Sequence, residues 1–228
     1  MIPRWKVLLS YLFELHVESA SSDYNPHLYV SLRRGRYQLS TAHAVYSFGD
    51  LYTNFARTFR QWNWQAYPPD DVLVLGLGLG SIPVILEQTH QRDCQLTAVE
   101  IDEEVVDLAN RYVLAGLSNP MQLIIADAAI VVQQLPDEAY DLICVDVFDD
   151  DTVPPVFETL AFLENAKCLL RPNGVLLFNR LAATPQDRTR SQAFYTDVFR
   201  VAFPAAHCLD VGGNFMLVSE AAAVNKGS

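Results

Sequence analysis

The sequence lacks the features that usually mark a disulfide framework or a metal centre. Its four cysteines have no paired short spacing and its five histidines form no H-x-x-H pattern, so neither a disulfide nor a zinc site is expected. Packing in the interior is the expected role of these cysteines. The sequence also contains no internal repeat and no low-complexity tract. These absences predict a cytoplasmic protein in a reducing compartment, with no bound metal.

Positive charge and long apolar runs are also scarce. Lys and Arg number 16 against 27 Asp and Glu, a formal net charge of -11, whereas a nucleic-acid surface needs clustered cations. The one basic cluster, Arg33, Arg34 and Arg36, falls in a predicted hairpin turn, where exposure to solvent is the simpler interpretation. Residues 1–17 are apolar but interrupted by charges, which indicates neither a signal peptide nor a membrane span. We therefore expect no nucleic-acid and no membrane partner.

A glycine-rich turn after a buried strand is the most informative motif. Residues 72–75 read Val-Leu-Val-Leu, an apolar run typical of a parallel strand buried on both faces. Gly76, Gly78 and Gly80 follow; they lack the Cβ atoms that would block a tight turn and the close approach of a ligand. Glu100 ends the next predicted strand, where a carboxylate can accept both hydroxyls of a ribose. The pattern predicts a βαβ unit that binds a nucleoside.

The spacing of these glycines bears on which nucleoside is bound. In the dinucleotide pattern G-x-G-x-x-G, Ser81 would take the last place and Gly80 would stand one residue early. Class I methyltransferases and their relatives prefer G-x-G-x-G with an acid at the end of the second strand, as found here. We favour an S-adenosylmethionine-type ligand. An NAD-type dinucleotide-binding oxidoreductase, a non-catalytic nucleoside-binding protein and a glycine turn without a ligand are the alternatives.

Beyond Glu100 the pattern continues to alternate between helix and strand. Helical periodicity covers residues 103–115, and apolar strand patterns cover residues 121–126, 140–145 and 174–179, with helices at 156–170 and 186–203 and a closing strand pair at 206–210 and 215–219. This predicts an α/β, Rossmann-like seven-stranded class I methyltransferase fold with an antiparallel finish. Because the carboxyl ends of parallel strands face the ligand crevice, Glu100, Asp127 and Asp146 should border one pocket together with the glycines.

The first 65 residues do not follow this alternation. Residues 5–17 and 27–32 are rich in strand-forming residues, Arg34-Gly35 is a plausible turn, and residues 48–62 read as a helix. We expect a small N-terminal β-rich extension with a connecting helix over residues 1–65, a catalytic domain over 66–220 and a flexible tail over 221–228. An exposed apolar strand at residues 8–15 would be a natural edge for a partner to cover, so a homodimer is an expectation.

Five segments resemble spermidine synthases, the polyamine aminopropyltransferases within the class I superfamily. They are residues 25–30, 35–39 and 46–52, which are similar to the small N-terminal β-domain of that family, and residues 140–149 and 170–176 in its catalytic half. The resemblance covers residues 25–220, nearly the whole chain. It implies transfer of an aminopropyl group from decarboxylated S-adenosylmethionine to a polyamine.

The resemblance also implies roles for single residues. A carboxylate is needed because the acceptor amine is protonated at neutral pH and cannot attack until it loses a proton. By resemblance, Asp146 and Asp149 are the catalytic acids of a D-x-x-D motif, Glu100 holds the ribose, Asp127 contacts the adenine amino group, and Tyr46 and Tyr52 line the acceptor wall. Asp150 and Asp151 extend the acidic run, for which a solvated loop is the better interpretation.

The sequence departs from the family pattern at positions expected to contact the tail of the donor and the acceptor. Leu79 stands where polyamine synthases carry the aspartate of G-G-G-D-G, and Asn54 replaces an acid after Tyr52. Leucine can neither accept a hydrogen bond nor balance a cation. His43 lies where the acceptor-side loop should be. The sequence therefore predicts S-adenosylmethionine or its decarboxylated form as donor. The transferred group is expected to be methyl or aminopropyl, and the acceptor to be small and cationic, such as an amine.

Overall fold

Two β-sheets organise the chain in the computed structural model, which describes residues 3–42 and 44–225. A four-stranded antiparallel sheet has the order β1-β2-β3-β4, and a seven-stranded mixed sheet has the order β10-β11-β9-β8-β5-β6-β7. The strands of the small sheet are β1 (Leu15–Ala20), β2 (Leu28–Arg33), β3 (Arg36–Ser40) and β4 (Val45–Ser47); those of the large sheet are β5 (Asp71–Leu75), β6 (Gln95–Glu100), β7 (Met121–Ile125), β8 (Tyr140–Val145), β9 (Leu170–Leu181), β10 (His207–Asp210) and β11 (Asn214–Val218).

The order of the large sheet confirms the predicted fold. Strands β5 to β9 run parallel to one another, whereas β11 is antiparallel to both β9 and β10. A dinucleotide-binding sheet continues with parallel strands in the order 3-2-1-4-5-6. The inserted antiparallel strand is therefore the finish that the sequence predicts for a class I methyltransferase-like fold.

Helices cover both faces of the large sheet. Two apolar clusters form the core: Val72 and Val74 of β5 belong to one, and Leu73 and Leu75 to the other. This division explains why the strand reads as an unbroken apolar run. The α-helices are α1 (Arg4–Leu9), α2 (Thr53–Arg60), α3 (Ser81–Val84), α4 (Glu103–Tyr112), α5 (Ala128–Val131), α6 (Leu160–Cys168), α7 (Pro185–Phe194) and α8 (Arg200–Ala202).

The N-terminal extension differs in part from its prediction. The β2–β3 hairpin is confirmed, with Arg34 and Gly35 in the left-handed turn that the sequence predicts. The strand predicted over residues 5–17 is wrong, because α1 begins after Pro3 and the strand starts only at Leu15. Lys, Arg and Leu in this segment are good helix formers. The edge strands of the small sheet are β1 and β4, and a homodimer through this region stays a prediction.

Polar contacts fix the extension to the large sheet. Buried Asp102 accepts hydrogen bonds from Ser22 Oγ at 2.5 Å and from Asn25 Nδ2 at 2.7 Å, while its other oxygen caps α4. Ser47 and Ser81 share a buried hydrogen bond of 2.6 Å. The helix predicted over residues 48–62 is shorter, because a 3-10 turn at Gly49–Leu51 precedes α2.

The C-terminal segment packs more closely than the sequence suggests. The flexible tail predicted from residue 221 is wrong for residues 221–224, where a 3-10 turn places Ala223 and Val224 in the core and Val224 pairs with Trp62. Alanine-rich segments carry little periodic signal, so burial here depends on tertiary contact. Residues 226–228 lie outside the described residues. None of the described helices has the length and apolar character needed to cross a bilayer.

Candidate active site

A cavity of about 970 Å³ lies between the carboxyl edge of the large sheet and the N-terminal extension. Such a volume suits a ligand the size of a nucleoside with a second small molecule. Almost every predicted site residue lines it: Gly76, Gly78, Glu100, Asp127, Asp146, Asp149, Tyr46 and Tyr52. Gly80 is the exception, and His43 lies outside the described residues.

The glycine loop fits tightly against other parts of the protein. Gly76 has φ of 88°, and a Cβ atom there would overlap the backbone carbonyl oxygen of Asp146. Gly80 has φ of 89°, and its Cβ would lie 2.7 Å from Leu114 Cδ2. Gly76 requires glycine for this backbone contact, and both positions require it for their left-handed backbone. Contact with a donor remains a prediction for Gly76 and Gly78, whereas Gly80 serves the start of α3.

Glu100 carries more backbone contacts than the sequence suggests. Its Oε2 accepts hydrogen bonds from the backbone N–H groups of Leu77 at 3.0 Å and Gly78 at 3.3 Å, and its Oε1 from Ile101 at 2.9 Å and Asp102 at 3.2 Å. Burial raises the pKa of Glu100, while these four N–H groups oppose that shift. A carboxylate offers about four acceptor positions. A ribose hydroxyl would therefore have to share or replace one of these contacts.

Asp127 stands at the carboxyl end of β7 and caps the next helix. Its Oδ1 accepts a hydrogen bond from Ala129 N at 2.8 Å, which satisfies an N–H at the start of α5. The residue lines the cavity beside Ala128. The capping contact fixes the carboxylate at the edge where an adenine amino group is expected.

Leu79 faces away from this cavity. Its side chain is 1% exposed and belongs to the apolar cluster shared with the N-terminal extension. The loop position that carries aspartate in the resembling family is thus used for packing in this chain. Leu79 therefore offers no carboxylate to a donor tail.

Asp146, at the carboxyl end of β8, is held by side chains from two other segments. Its Oδ1 accepts hydrogen bonds from Asn179 Nδ2 at 2.8 Å and from Tyr52 OH at 3.2 Å. Asn214 Nδ2 in turn donates to Asn179 Oδ1 at 2.9 Å. Among the described residues, Asp146 Oδ2 has no hydrogen-bond partner, and the side chain lines the cavity. The arrangement fixes one oxygen and leaves the other for a ligand.

The environment of Asp146 favours its neutral form. Burial raises the pKa of Asp146 to about 7, against the hydrogen bonds from Asn179 and Tyr52, and the charge of Glu100 raises the pKa further. A carboxylate that titrates near neutral pH can accept a proton from a cationic group and release it to water. Asp146 is therefore suited to general-base chemistry.

Asn179 and Asn214 were not predicted as site residues. Asn179 follows Val-Leu-Leu-Phe on buried β9, and an amide in such a run is the signal that could have identified it. Asn214 begins β11, and nothing in its local sequence places it beside Asn179. Only the antiparallel β9–β11 pairing brings the two together.

Tyr46 ties the acidic loop to the extension. Its hydroxyl donates to Asn25 Oδ1 at 3.1 Å and accepts from Asp150 N at 2.8 Å, and burial raises the pKa of Tyr46 to about 12. Asp150 also accepts from Thr41 Oγ1 at 2.5 Å. The expected solvated loop is therefore wrong for Asp150, which docks on the small sheet; exposed Asp151 fits that expectation.

Comparisons with known proteins agree with this geometry. A family model described as spermine/spermidine synthase domain matches residues 63–220. A polyamine aminopropyltransferase from Vibrio vulnificus is 32% identical over 133 residues, which cover 58% of this chain and 44% of that protein. An eEF1A lysine and N-terminal methyltransferase from Bos taurus is 33% identical over 121 residues, covering 49% and 17%. The chain thus matches less than half the length of these relatives.

Solved structures share the fold. Spermidine synthase from Thermotoga maritima aligns with a TM-score of 0.67 at 15% identity, covering 90% of this chain and 72% of that one. Human methyltransferase-like protein 13 in complex with SAH aligns with a TM-score of 0.61 at 24% identity, covering 74% and 82%. At these identities the likeness concerns the fold alone.

Proposed function

Because the chain belongs to the spermine/spermidine synthase domain family, we propose that it is a transferase that moves an alkyl group from an S-adenosylmethionine-type donor to an amine. The observation that carries this proposal is the placement of Asp146. One oxygen is fixed by Tyr52 and Asn179, and the other faces a cavity shared with the glycine loop. Residues 1–65 supply the tyrosines of this cavity, Tyr24, Tyr46 and Tyr52, so we propose that they complete the catalytic domain of residues 66–220.

The chemistry requires a neutral amine next to an electrophilic carbon. A sulfonium donor supplies that carbon: its bond to sulfur breaks, the electron pair returns to sulfur, and the positive charge is lost. Asp146 Oδ2 accepts the proton that the acceptor ammonium must release before its nitrogen attacks. Tyr52 and Asn179 keep the carboxylate oriented throughout. Glu100, Asp127 and the backbone of Gly76 and Gly78 are the groups that would hold the nucleoside.

Two transfers fit the site, and a different observation favours each. Leu79 is buried and offers no carboxylate to the donor tail, which favours methyl transfer from intact S-adenosylmethionine. The spacing of Asp146 and Asp149, both on the cavity wall, favours aminopropyl transfer. When the protein is incubated with each donor and a panel of amines, the nucleoside by-product distinguishes methyl transfer from aminopropyl transfer. S-adenosylhomocysteine indicates methyl transfer and methylthioadenosine indicates aminopropyl transfer, whereas neither by-product with any amine argues against a transferase.

The rate should follow the titration of Asp146. We expect kcat/KM to rise with pH through about 7, because the base must be ionised. The Tyr52→Phe variant removes a hydrogen bond that lowers the pKa of Asp146, so its midpoint should shift upward by about one pH unit. Tyr11→Phe, an exposed site on the extension, is the matched control. An unchanged midpoint in Tyr52→Phe would assign the titration to another group.

A further inference from the structure

The cavity wall carries a buried amide oxygen that has no hydrogen-bond partner among the described residues. Gln38 on β3 is 4% exposed and lines the cavity. Its Nε2 donates to Ser40 Oγ at 2.9 Å, but among the described residues its Oε1 has no hydrogen-bond partner. A buried carbonyl oxygen without a donor costs free energy. Its position on the cavity wall suits an N–H group of a ligand.

Two exposed arginines line the same cavity as this amide. In the register of the β2–β3 hairpin, Ser31 lies opposite Gln38 and Arg33 lies opposite Arg36. Gln38 and Arg33 are therefore diagonal neighbours on the same face of the sheet, about 7–8 Å apart. Arg33 and Arg34 both line the cavity. We call Gln38, Arg33 and Arg34 the acceptor strip. It offers one oxygen acceptor and two guanidinium groups.

The guanidinium groups of the acceptor strip are not neutralised by neighbouring acids. No described acid pairs with Arg33 or Arg34. Asp50 binds Arg36 through two hydrogen bonds, and Glu14 accepts from Ser31 Oγ at 2.7 Å. Asp50 and Glu14 are thus engaged elsewhere, and the acids that share the cavity wall, Asp23, Asp149, Asp150 and Asp151, form no ion pair with either arginine among the described residues. An anionic group on a ligand would complete this end of the cavity.

The acceptor strip and Asp146 line the same cavity. Asp50, which holds Arg36, precedes Tyr52 by two residues, and Tyr52 donates to Asp146. The cavity wall therefore offers a carboxylate that can deprotonate an amine, an amide oxygen and two guanidinium groups, and it also carries the carboxylates of Asp23, Asp149, Asp150 and Asp151. Asn54, Asn179 and Asn214 line the same wall and carry no charge.

We propose that the acceptor is a free α,ω-diamino acid, a molecule such as ornithine or lysine. This rests on the proposed function and names its substrate class. The ω-amine lies at Asp146, the α-ammonium donates to Gln38 Oε1, and the α-carboxylate binds Arg33 and Arg34. A simple diamine lacks the carboxylate and would therefore leave both guanidinium groups without an anion from the ligand.

Matched ligand pairs test the acceptor class without turnover. Ornithine and putrescine differ only in the carboxylate, as do lysine and cadaverine. Each is titrated by calorimetry into the protein with and without S-adenosylhomocysteine. We expect the best diamino acid to bind at least about tenfold more tightly than its diamine. Equal or tighter binding of the diamine, or no saturable binding of either diamino acid, would overturn the proposal.

Two variants assign the preference to the acceptor strip. The double variant Arg33→Gln/Arg34→Gln should lose the preference for a diamino acid over its diamine. The control Arg60→Gln/Arg200→Gln removes the same charge at two exposed sites and should keep this preference. Gln38→Met should remove the preference for ornithine over δ-aminovalerate, which lacks the α-amine. Thermal unfolding checks that each variant is folded. If the preference for the diamino acid survives in Arg33→Gln/Arg34→Gln, the acceptor strip does not bind its carboxylate and the proposal is refuted. Failure of S-adenosylhomocysteine to bind would instead count against the transferase function.

Discussion

Asp146→Asn is expected to lower kcat by about 10²- to 10⁴-fold, the usual contribution of a positioned general base. Asparagine has the same shape, and its Oδ1 can still accept from Asn179 and Tyr52. What it loses is the ability to take a proton at the second position. Steady-state turnover with the best amine measures this, and Asp137→Asn, an exposed site away from the cavity, is the control.

The same variant should gain stability at alkaline pH. The pKa of Asp146 is about 7 in the folded protein, against 3.8 for an ordinary aspartate such as that of the unfolded chain. Between pH 3.8 and pH 7 the folded state therefore binds more protons than the unfolded state. Stability from this group is therefore present at low pH and is lost as pH rises towards 7. Asp146→Asn lacks this loss and should unfold at a higher temperature than the wild type at pH 8. Full activity together with an unchanged unfolding profile would contradict the role of Asp146.

Gly76→Ala is expected to cause the largest loss of stability among single methyl additions. Alanine rarely adopts the φ of 88° found here, and its Cβ would overlap the Asp146 carbonyl oxygen. Strain of this kind costs about 3 kcal/mol or more, which corresponds to roughly 6–12 °C in the unfolding midpoint for a chain of this size. Activity should fall as well, because the clash displaces the backbone of Asp146, the proposed general base.

Gly116→Ala is the matched control for this experiment. Apart from its chain neighbours, no described residue lies within 4 Å of a methyl group added at Gly116, and this glycine is not in the left-handed region. We expect its unfolding midpoint to stay close to that of the wild type. Scanning calorimetry of the two variants compares them directly. A Gly76→Ala protein as stable as Gly116→Ala would show that the contact between the glycine loop and Asp146 is not tight.

The large sheet could be predicted because its strands carry a local signal. Val72 to Leu75 are apolar on both faces, and the acids Glu100, Asp127 and Asp146 each end a strand. In a parallel sheet such positions meet at one edge, so the candidate site followed from the order of the elements. The N-terminal segment was harder, because leucine and aromatic residues at positions 5–17 fit a strand or an amphipathic helix.

Contacts made by pairing register could not be predicted. Asn214 reaches Asn179 only because β11 inserts antiparallel beside β9. Gln38 and Arg33 share a face only through the β2–β3 register. Glu100 could be identified as a strand-end acid, but its four backbone N–H contacts depend on the folded glycine loop. Sequence patterns locate such residues on elements and do not give their partners.

Calorimetric titration of the protein with S-adenosylmethionine, its decarboxylated form and methylthioadenosine, side by side, tests the central claim most directly. We expect saturable binding of at least one, with affinity reduced about tenfold or more in Glu100→Gln and unchanged in Glu103→Gln, an exposed neighbour. NADH is the comparison ligand for the dinucleotide alternative. Binding of NADH with no binding of any of the three adenosyl ligands would contradict the account.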